Sequence, residues 1–440
     1  MRKTGFIAVA ILVLCTGFAV AGGTHEAQGT ASSSKPVQIT FLNSKGEITA
    51  QLQTLFQNFT KDNPSITVNL TAAGAGVNPF QQLMTMYASG NAPAVAMVDA
   101  SDLPKLAPKF LDLSGQKWVS DAVPGSLALG TINGTLVGFP FTIEGYGLIY
   151  NKAVLDKAYG GSFDPSSIRT INDLKTAFEK VQAIGVAPVV ITPLNWSLGS
   201  HYLGIAAGDQ SSDPAKVAQF IADLKAGKVN LANNQVYNGL MESLQLMAKY
   251  NLGKADPMAV TYAQGPEYLA KGQAGFWFMG TWAWPQIAEF NTSKASYGFV
   301  PVPISNNPSD YGNTQIPAGP TKYLGLDKTQ NSPAQQAAAE KLLNWMVYNP
   351  TAQKELIDSA GIVMAFKNVT LPSPNDLNRS MQAYITAGKA SEFAANLFPP
   401  DHWEVLGAPM QEFFVGKITK AQLFKTIEDY WIKVGQREKS

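Results

Sequence analysis

Along the first hundred residues, extended apolar runs alternate with segments of helical spacing. VQITFL (37–42) reads as a β-strand, and the ITAQLQTLFQNFTK that follows puts Ile48, Leu52, Leu55, Phe56 and Phe59 on one helical face. A second strand, ITVNLTA, comes after the Asn63-Pro64 break, and a helix from Phe80 to Ser89 and the apolar run Ala94 to Val98 continue the alternation. This order is that of an α/β domain with a largely parallel sheet. The last run ends at Asp99. That carboxylate is expected either at the carboxyl edge of a strand, where open α/β sheets bind ligands, or as the cap of the next helix.

Further on, GTLVGFPFTIEGYGLIYNK (134–152) is two extended apolar runs joined by Glu144-Gly145-Tyr146-Gly147, which predicts a connection that bends or crosses between domains. A helix from Ile171 to Ile184, the strand PVVIT, and helices at Pro214 to Lys225 and Asn234 to Tyr250 follow. The loop PLNWSLGSHY carries Trp196, His201 and Tyr202 just after that strand. In GQAGFWFMGTWAWP (272–285), Trp277, Trp282 and Trp284 fall within eight residues, on either side of Gly280. A large ring beside such a glycine can project into a cleft, and the apolar face of a pyranose suits it; burial in a core is the other reading of the same pattern. GFVPVPISNNPSDYGNTQIPAGP (298–320) reads as a second linker. Ser332-Pro333 and Asn349-Pro350 each supply an N-cap with proline at the first helical position. Beyond Phe366 the chain reads as helical, with a loop at Asn396 to His402 and a last helix starting near Thr419.

The N-terminus changes the picture of compartment. Arg2 and Lys3 precede an apolar run from Phe6 to about Ala21 that ends in Ala19-Val20-Ala21, the layout of a cleaved signal peptide, with an uncleaved anchor as the alternative. Cys15, the only cysteine, lies inside it, so a chain starting at Gly22 has no thiol. Lipidation of Cys15 is disfavoured because Leu14 stands where a lipobox has a small residue. GGTHEAQGTASSSK (22–35) reads as a flexible lead-in with His25 in solvent. Without Arg2 and Lys3 the formal balance becomes 31 cations against 32 acids, or minus 1, which offers no basic field for nucleic acid or an anionic membrane. Only 15% of residues are charged, against about 25% on average. Polarity comes from Asn, Gln, Ser, Thr and Gly, which suits a neutral, hydrogen-bonding ligand.

Signatures of catalysis, phosphate binding and dinucleotide binding are absent. With His201 and His402 the only imidazoles after the lead-in, neither a metal nor a cofactor is expected. Asp99 and Glu144 could be nominated as a glycosidase pair, but nothing in their spacing sets them across one bond.

FPFTIEGYGLIYNK, then GQAGFWFMGTWAWPQI some 120 residues later and YGFVPVPI after it, resemble in order and spacing the bacterial extracellular solute-binding proteins of the maltose-binding type. KGEITAQLQTLFQNFTKDNPSITVNL near the start and HWEVLGAPMQEFFVGKIT near the end extend the likeness over nearly the whole mature chain. The resemblance implies an α/β, two-lobe periplasmic-binding-protein fold with a ligand cleft between lobes joined by hinge segments. It implies a signal peptide at 1–21, a lead-in at 22–35, an N-terminal lobe from 36–145 and 306–360, and a C-terminal lobe from 146–305 and 361–440, with a third crossing near Ile357 to Val363. It implies a monomer without enzymatic activity, secreted to the periplasm or cell exterior, that hands a mono- or oligosaccharide to the permease of an ABC importer. Residue by residue, Trp282 matches the tryptophan that stacks on a sugar, Trp403 a second stacking aromatic, Glu144 a hinge-adjacent acceptor and Lys45 a donor. Asp99, Trp196 and Tyr146 follow as further ligand contacts, against capping, core and hinge packing respectively. His201, Asp401 and His402 would stand at the rim, and Trp277 and Trp284 in support. The alternatives are a secreted carbohydrate-active enzyme and a binding protein for a non-sugar neutral solute.

Overall fold

The computed structural model describes residues 36–73, 77–123 and 125–439. The predicted signal peptide and lead-in, with Cys15 and His25, lie outside them. Strand β1 (Val37–Asn43) pairs in parallel with β2 (Ile66–Ala72) and with β3 (Val95–Asp99), as the alternating pattern requires. Between them run helix α1 (Thr49–Asp62), which buries Leu52, Leu55, Phe56 and Phe59, and α2 (Pro79–Ala88), capped by the Asn78 side chain. The sheet continues through β4 (Phe139–Asn151), β5 (Ala187–Val190), β6 (Ala274–Gly280), β7 (Tyr297–Val300) and β8 (Ile316–Leu326). Its order is β2-β1-β3-β8-β4-β6-β5, with β7 beside β4 and a two-residue strand, Ala390–Ser391, beside β8.

Strand β4 joins the two halves of this sheet. Phe139 to Gly145 pair with β8, whereas Tyr146 to Asn151 pair with β6 and β7. The segment 144–147, predicted to bend or to cross between domains, crosses from one half of the sheet to the other as an unbroken strand. Its glycines supply room: a Cβ on Gly145 would sit 2.9 Å from Met381 Cγ and Sδ, and one on Gly147 2.9 Å from the Val300 carbonyl oxygen. The predicted second linker likewise contains β7 and the start of β8. Pro320 is accommodated there because the β8 ladder shifts register between Pro320 and Lys322, where a missing N–H costs no bond.

Apolar side chains separate into cores on the two sides of this junction. Residues between Ile39 and Phe141 join Leu324 to Phe366 under α1 and α5 (Pro333–Tyr348). A second cluster covers the opposite face with Leu83, Tyr87, Leu103 and Tyr323. Residues from Tyr146 to Ile304 join Phe393 to Val434 in the largest cluster. It takes in α3 (Ile171–Ala183), α4 (Gln235–Tyr250), α7 (His402–Phe414) and α8 (Lys420–Arg437). A fourth cluster packs Trp277 and Ile287 with Leu377 and Met381 of α6 (Asp376–Thr386). The stretch after Ile304 stays with α3 and α4, through Asn306 accepting from the Asn172 amide and Gln235 donating to Asp310. Helix α7 begins inside the stretch predicted as a loop. Among the described residues no helix is long and apolar enough to cross a membrane.

Candidate ligand-binding site

Asn43, at the end of β1, fixes the turn that follows it. Its side-chain oxygen accepts from the Lys45 amide, and its nitrogen donates to the Lys45 carbonyl, both at 2.8 Å. The turn brings Lys45 Nζ to 2.6 Å from Glu144 Oε1 and 2.6 Å from Glu47. Glu144 stands at the centre of β4, and its other oxygen accepts from the Thr321 hydroxyl on β8 at 2.5 Å. Lys45 is 5% exposed and Glu144 6%. Burial opposes both charges, but the pair outweighs it: Glu144 and Glu47 hold Lys45 above its ordinary value, and Lys45 with Thr321 holds Glu144 below its own. A carboxylate kept ionised in this way still has lone pairs for further hydroxyl donors.

Beside this pair, Lys322 of β8 donates to Asp99 at 2.5 Å, the two residues being directly opposite in the β3–β8 ladder. Asp99 thus ends its strand as predicted, and its side chain makes no cap bond to the helical turn that follows. Asp102, one turn on, is pushed up to about 7 by burial and by the Asp99 charge. Lys45, Glu47, Thr142 and Glu144 face Thr281, Trp282 and Ala360 to Ile362 across a narrow recess.

Trp282 is placed by Gly280. The glycine backbone is extended, and a Cβ there would lie 2.2 Å from the Trp282 ring, so the residue is needed for space. The half-buried indole packs against the His201 imidazole, with centroids 4.8 Å apart and planes tilted by 32°. Trp196 meets both edge-on, at 5.4 Å from His201 and 6.2 Å from Trp282, and Tyr262 lies behind Trp196 at 5.8 Å. Residues 197–202, predicted as loop, form a wide π-type helical turn that carries His201 into this cluster. Burial pulls His201 down to about 4, so its ring is uncharged at neutral pH. Tyr146 is fully buried beneath, its ring 4.9 Å from His201 and from Phe393, and its hydroxyl donates to the His201 carbonyl at 2.9 Å.

The structure thus gathers Lys45, Glu144 and Trp282 around one recess. Trp196 stands beside Trp282, Tyr146 beneath it and Asp99 along the strand edge. Trp403 stands apart, half-buried in the first turn of α7, with no ring contact among the described aromatics. The α7 backbone presses on Gly199, where a Cβ would meet the Trp403 carbonyl oxygen at 3.0 Å. His402 is buried against Phe398 and Trp431, and Asp401 accepts from Tyr430 and Arg437. Trp277 is fully buried and Trp284 packs on Tyr297. Sequence reasoning missed Thr321, Lys322 and Phe393; the first two form a polar pair inside an apolar strand, a signal hidden by the flanking prolines.

The family model described as bacterial extracellular solute-binding protein matches residues 54–383. An uncharacterized ABC transporter extracellular-binding protein of Pyrococcus horikoshii is 26% identical over 319 residues, which span 68% of this chain and 64% of that protein. Among solved structures, the solute-binding protein RafE in complex with raffinose superposes with a TM-score of 0.75 at 18% identity, covering 91% of this chain and all of that one. Maltose-bound MalE3 of T. maritima gives 0.72 at 20% identity, over 90% of this chain and 99% of the other. A Bacillus licheniformis sugar transporter protein in complex with stachyose gives 0.71 at 18%, over 90% and 100%. At such identities the likeness establishes the fold, the two-lobe α/β fold of periplasmic solute-binding proteins.

Proposed function

The chain belongs to the bacterial extracellular solute-binding proteins, and on that premise we propose that it binds a carbohydrate between its lobes and delivers it to an ABC importer. The observation that carries this reading is the exposed side of the Trp282 indole, backed by neutral His201, facing a buried ion pair across one recess. A sugar presents an apolar C–H face and a rim of hydroxyls, and the recess offers an aromatic plate and charged hydrogen-bond partners to match. The sugars named for the structural relatives, raffinose, maltose and stachyose, support the same class. An oligosaccharide is favoured over a monosaccharide, because Trp196 extends the aromatic surface beside Trp282 beyond a single ring. Lys45, Asp99, Glu144 and Trp282 are the proposed contacts, with Trp196 flanking them, Tyr146 supporting the platform and Trp403 meeting a more distant ring.

The proposed lobes follow the apolar cores. They divide at Glu144 to Tyr146 of β4, within the first half of β8, and again between Phe366 and α6. Closure follows if the ligand contacts both lobes only when they meet, because that differential affinity moves the equilibrium. Secretion by the N-terminal signal, delivery to a permease and a monomeric state complete the proposal. Glu144 acts here as an ionised acceptor and takes no part in acid–base chemistry.

A thermal-shift screen of the chain from Gly22 against mono- and oligosaccharides tests the reading, because a ligand that binds only the folded state raises the melting temperature. A sugar-specific rise is expected. In Trp282→Ala the affinity for that sugar should fall by roughly 10- to 1,000-fold, the range of one hot-spot side chain. No rise with any sugar in protein freed of ligand by refolding would point to a non-sugar solute, and release of reducing ends from a glycan would point to an enzyme.

A further inference from the structure

At the N-terminus of α2, Asn78 uses its two side-chain atoms differently. The oxygen caps the helix, accepting from the amides of Phe80 at 2.9 Å and Gln81 at 3.3 Å. The nitrogen is thereby turned away from α2 and donates to Glu404 Oε1 at 2.6 Å. Glu404 lies in the first turn of α7, 326 residues further along the chain. The two helices belong to different cores: α2 packs through Leu83 and Tyr87 with β1 and β3, and α7 through Leu406, Met410 and Phe413 with the cluster around Tyr146. Neither residue sits on a strand that passes between the cores. By contrast, the bond from Asn396 to the Pro320 carbonyl is made at β8 itself.

We propose that Asn78 and Glu404 form a latch between the lobes, a contact that exists only when they meet and that no ligand atom makes. It rests on the reading that the lobes open and close. The latch adds to the closed state whatever sugar is bound, so it governs how long a ligand is held and not which ligand is chosen. Asparagine suits the position because one side chain must supply an acceptor to α2 and a donor to the opposite lobe. Aspartate would cap α2 equally well but would set a second carboxylate against Glu404.

That difference supplies the test. The chain from Gly22 contains no cysteine, so Lys61→Cys on α1 and Lys425→Cys on α8 give two sites for spin labels, one on each lobe. In ligand-free protein, Asn78→Asp should move the label-to-label distance distribution toward longer separations, and Glu404→Gln in the same chain should restore it. Glu404→Ala, which leaves the α2 cap intact, should lengthen the distance on its own. With a sugar bound, Asn78→Asp should raise the dissociation rate by about 10-fold, the scale of one partly exposed hydrogen bond to a charged group, with the association rate unchanged. Unchanged distances in both Asn78→Asp and Glu404→Ala would overturn the latch. Because the distance measurement needs no ligand, it stands or falls separately from the sugar screen.

Discussion

Replacing Lys45 by methionine keeps most of the side-chain volume and removes the one cation between Glu47 and Glu144, which both lie 2.6 Å from Nζ. Breaking a buried pair by deleting one partner costs about 3–5 kcal/mol. Here two carboxylates are left facing each other, one of them almost fully buried, so the upper part of that range, ~4 kcal/mol, is expected at pH 7.5. The pH dependence makes the test sharper. In the native protein Glu144 is held below its ordinary value of 4.5, so its contribution is present above that pH and is lost as pH falls through the folded value. Lys45 is held above 10.5, so its contribution is present below that pH and is lost only as pH climbs through the folded value. The pair therefore supports a plateau of stability from about pH 5 to about pH 10. Without Lys45, burial dominates at Glu144 and turns its shift upward; stability should then fall as pH rises and recover on acidification. Urea unfolding at pH 5 and pH 8 measures both. A variant that is as stable at pH 8 as at pH 5, or that loses less than about 1 kcal/mol at pH 7.5, would refute the claim that this ion pair holds the recess together.

Two further predictions concern other residues. Gly280→Ala places a Cβ 2.2–2.6 Å from three carbons of the Trp282 ring; the ring must move, and sugar affinity measured by calorimetry should fall by about 10-fold or more, with an overpacking cost of about 1–3 kcal/mol in the free protein. Asp209 is buried, and burial pushes it up to about 8 against the opposing pull of the Ser391 hydroxyl. Its neutral form is the one the fold favours, so stability should decline as pH rises from about 4 to about 8. Asp209→Asn should flatten that decline and be more stable than the native chain at pH 8 in thermal melts.

The alternating order of the first hundred residues was readable because α1 buries one regular helical face, while β1 and β3 are short apolar runs buried over most of their length. The cleft was readable in part: Lys45, Glu144 and Trp282 converge on one recess. That Lys45 and Glu144 pair with each other is a fact of strand register, since β1 and β4 meet only through β3 and β8, and residues 99 positions apart carry no mark of it. Thr321 and Lys322 were hidden because proline and glycine mark a linker in sequence, whereas here they sit in a strand whose ladder is already irregular. The glycines at 145 and 147 read as a bend or a crossing; the strand crosses without bending, and they serve as gaps for neighbouring atoms. The start of α7 was obscured because Asp401 spends its carboxylate on Tyr430 and Arg437 and gives α7 no side-chain cap.

The uninterrupted course of β4 has a mechanical meaning. A flexible tether would let two bodies wander over many relative orientations, and a ligand would have to gather them from all of those. A strand bonded along its first half to β8, and along its second half to β6 on one flank and β7 on the other, keeps a fixed path between the two halves of the sheet. If the lobes open and close as proposed, such a strand allows far fewer relative orientations than a tether would. On that reading the unliganded protein has few orientations to lose, and correspondingly little conformational entropy is surrendered when a solute holds the lobes together.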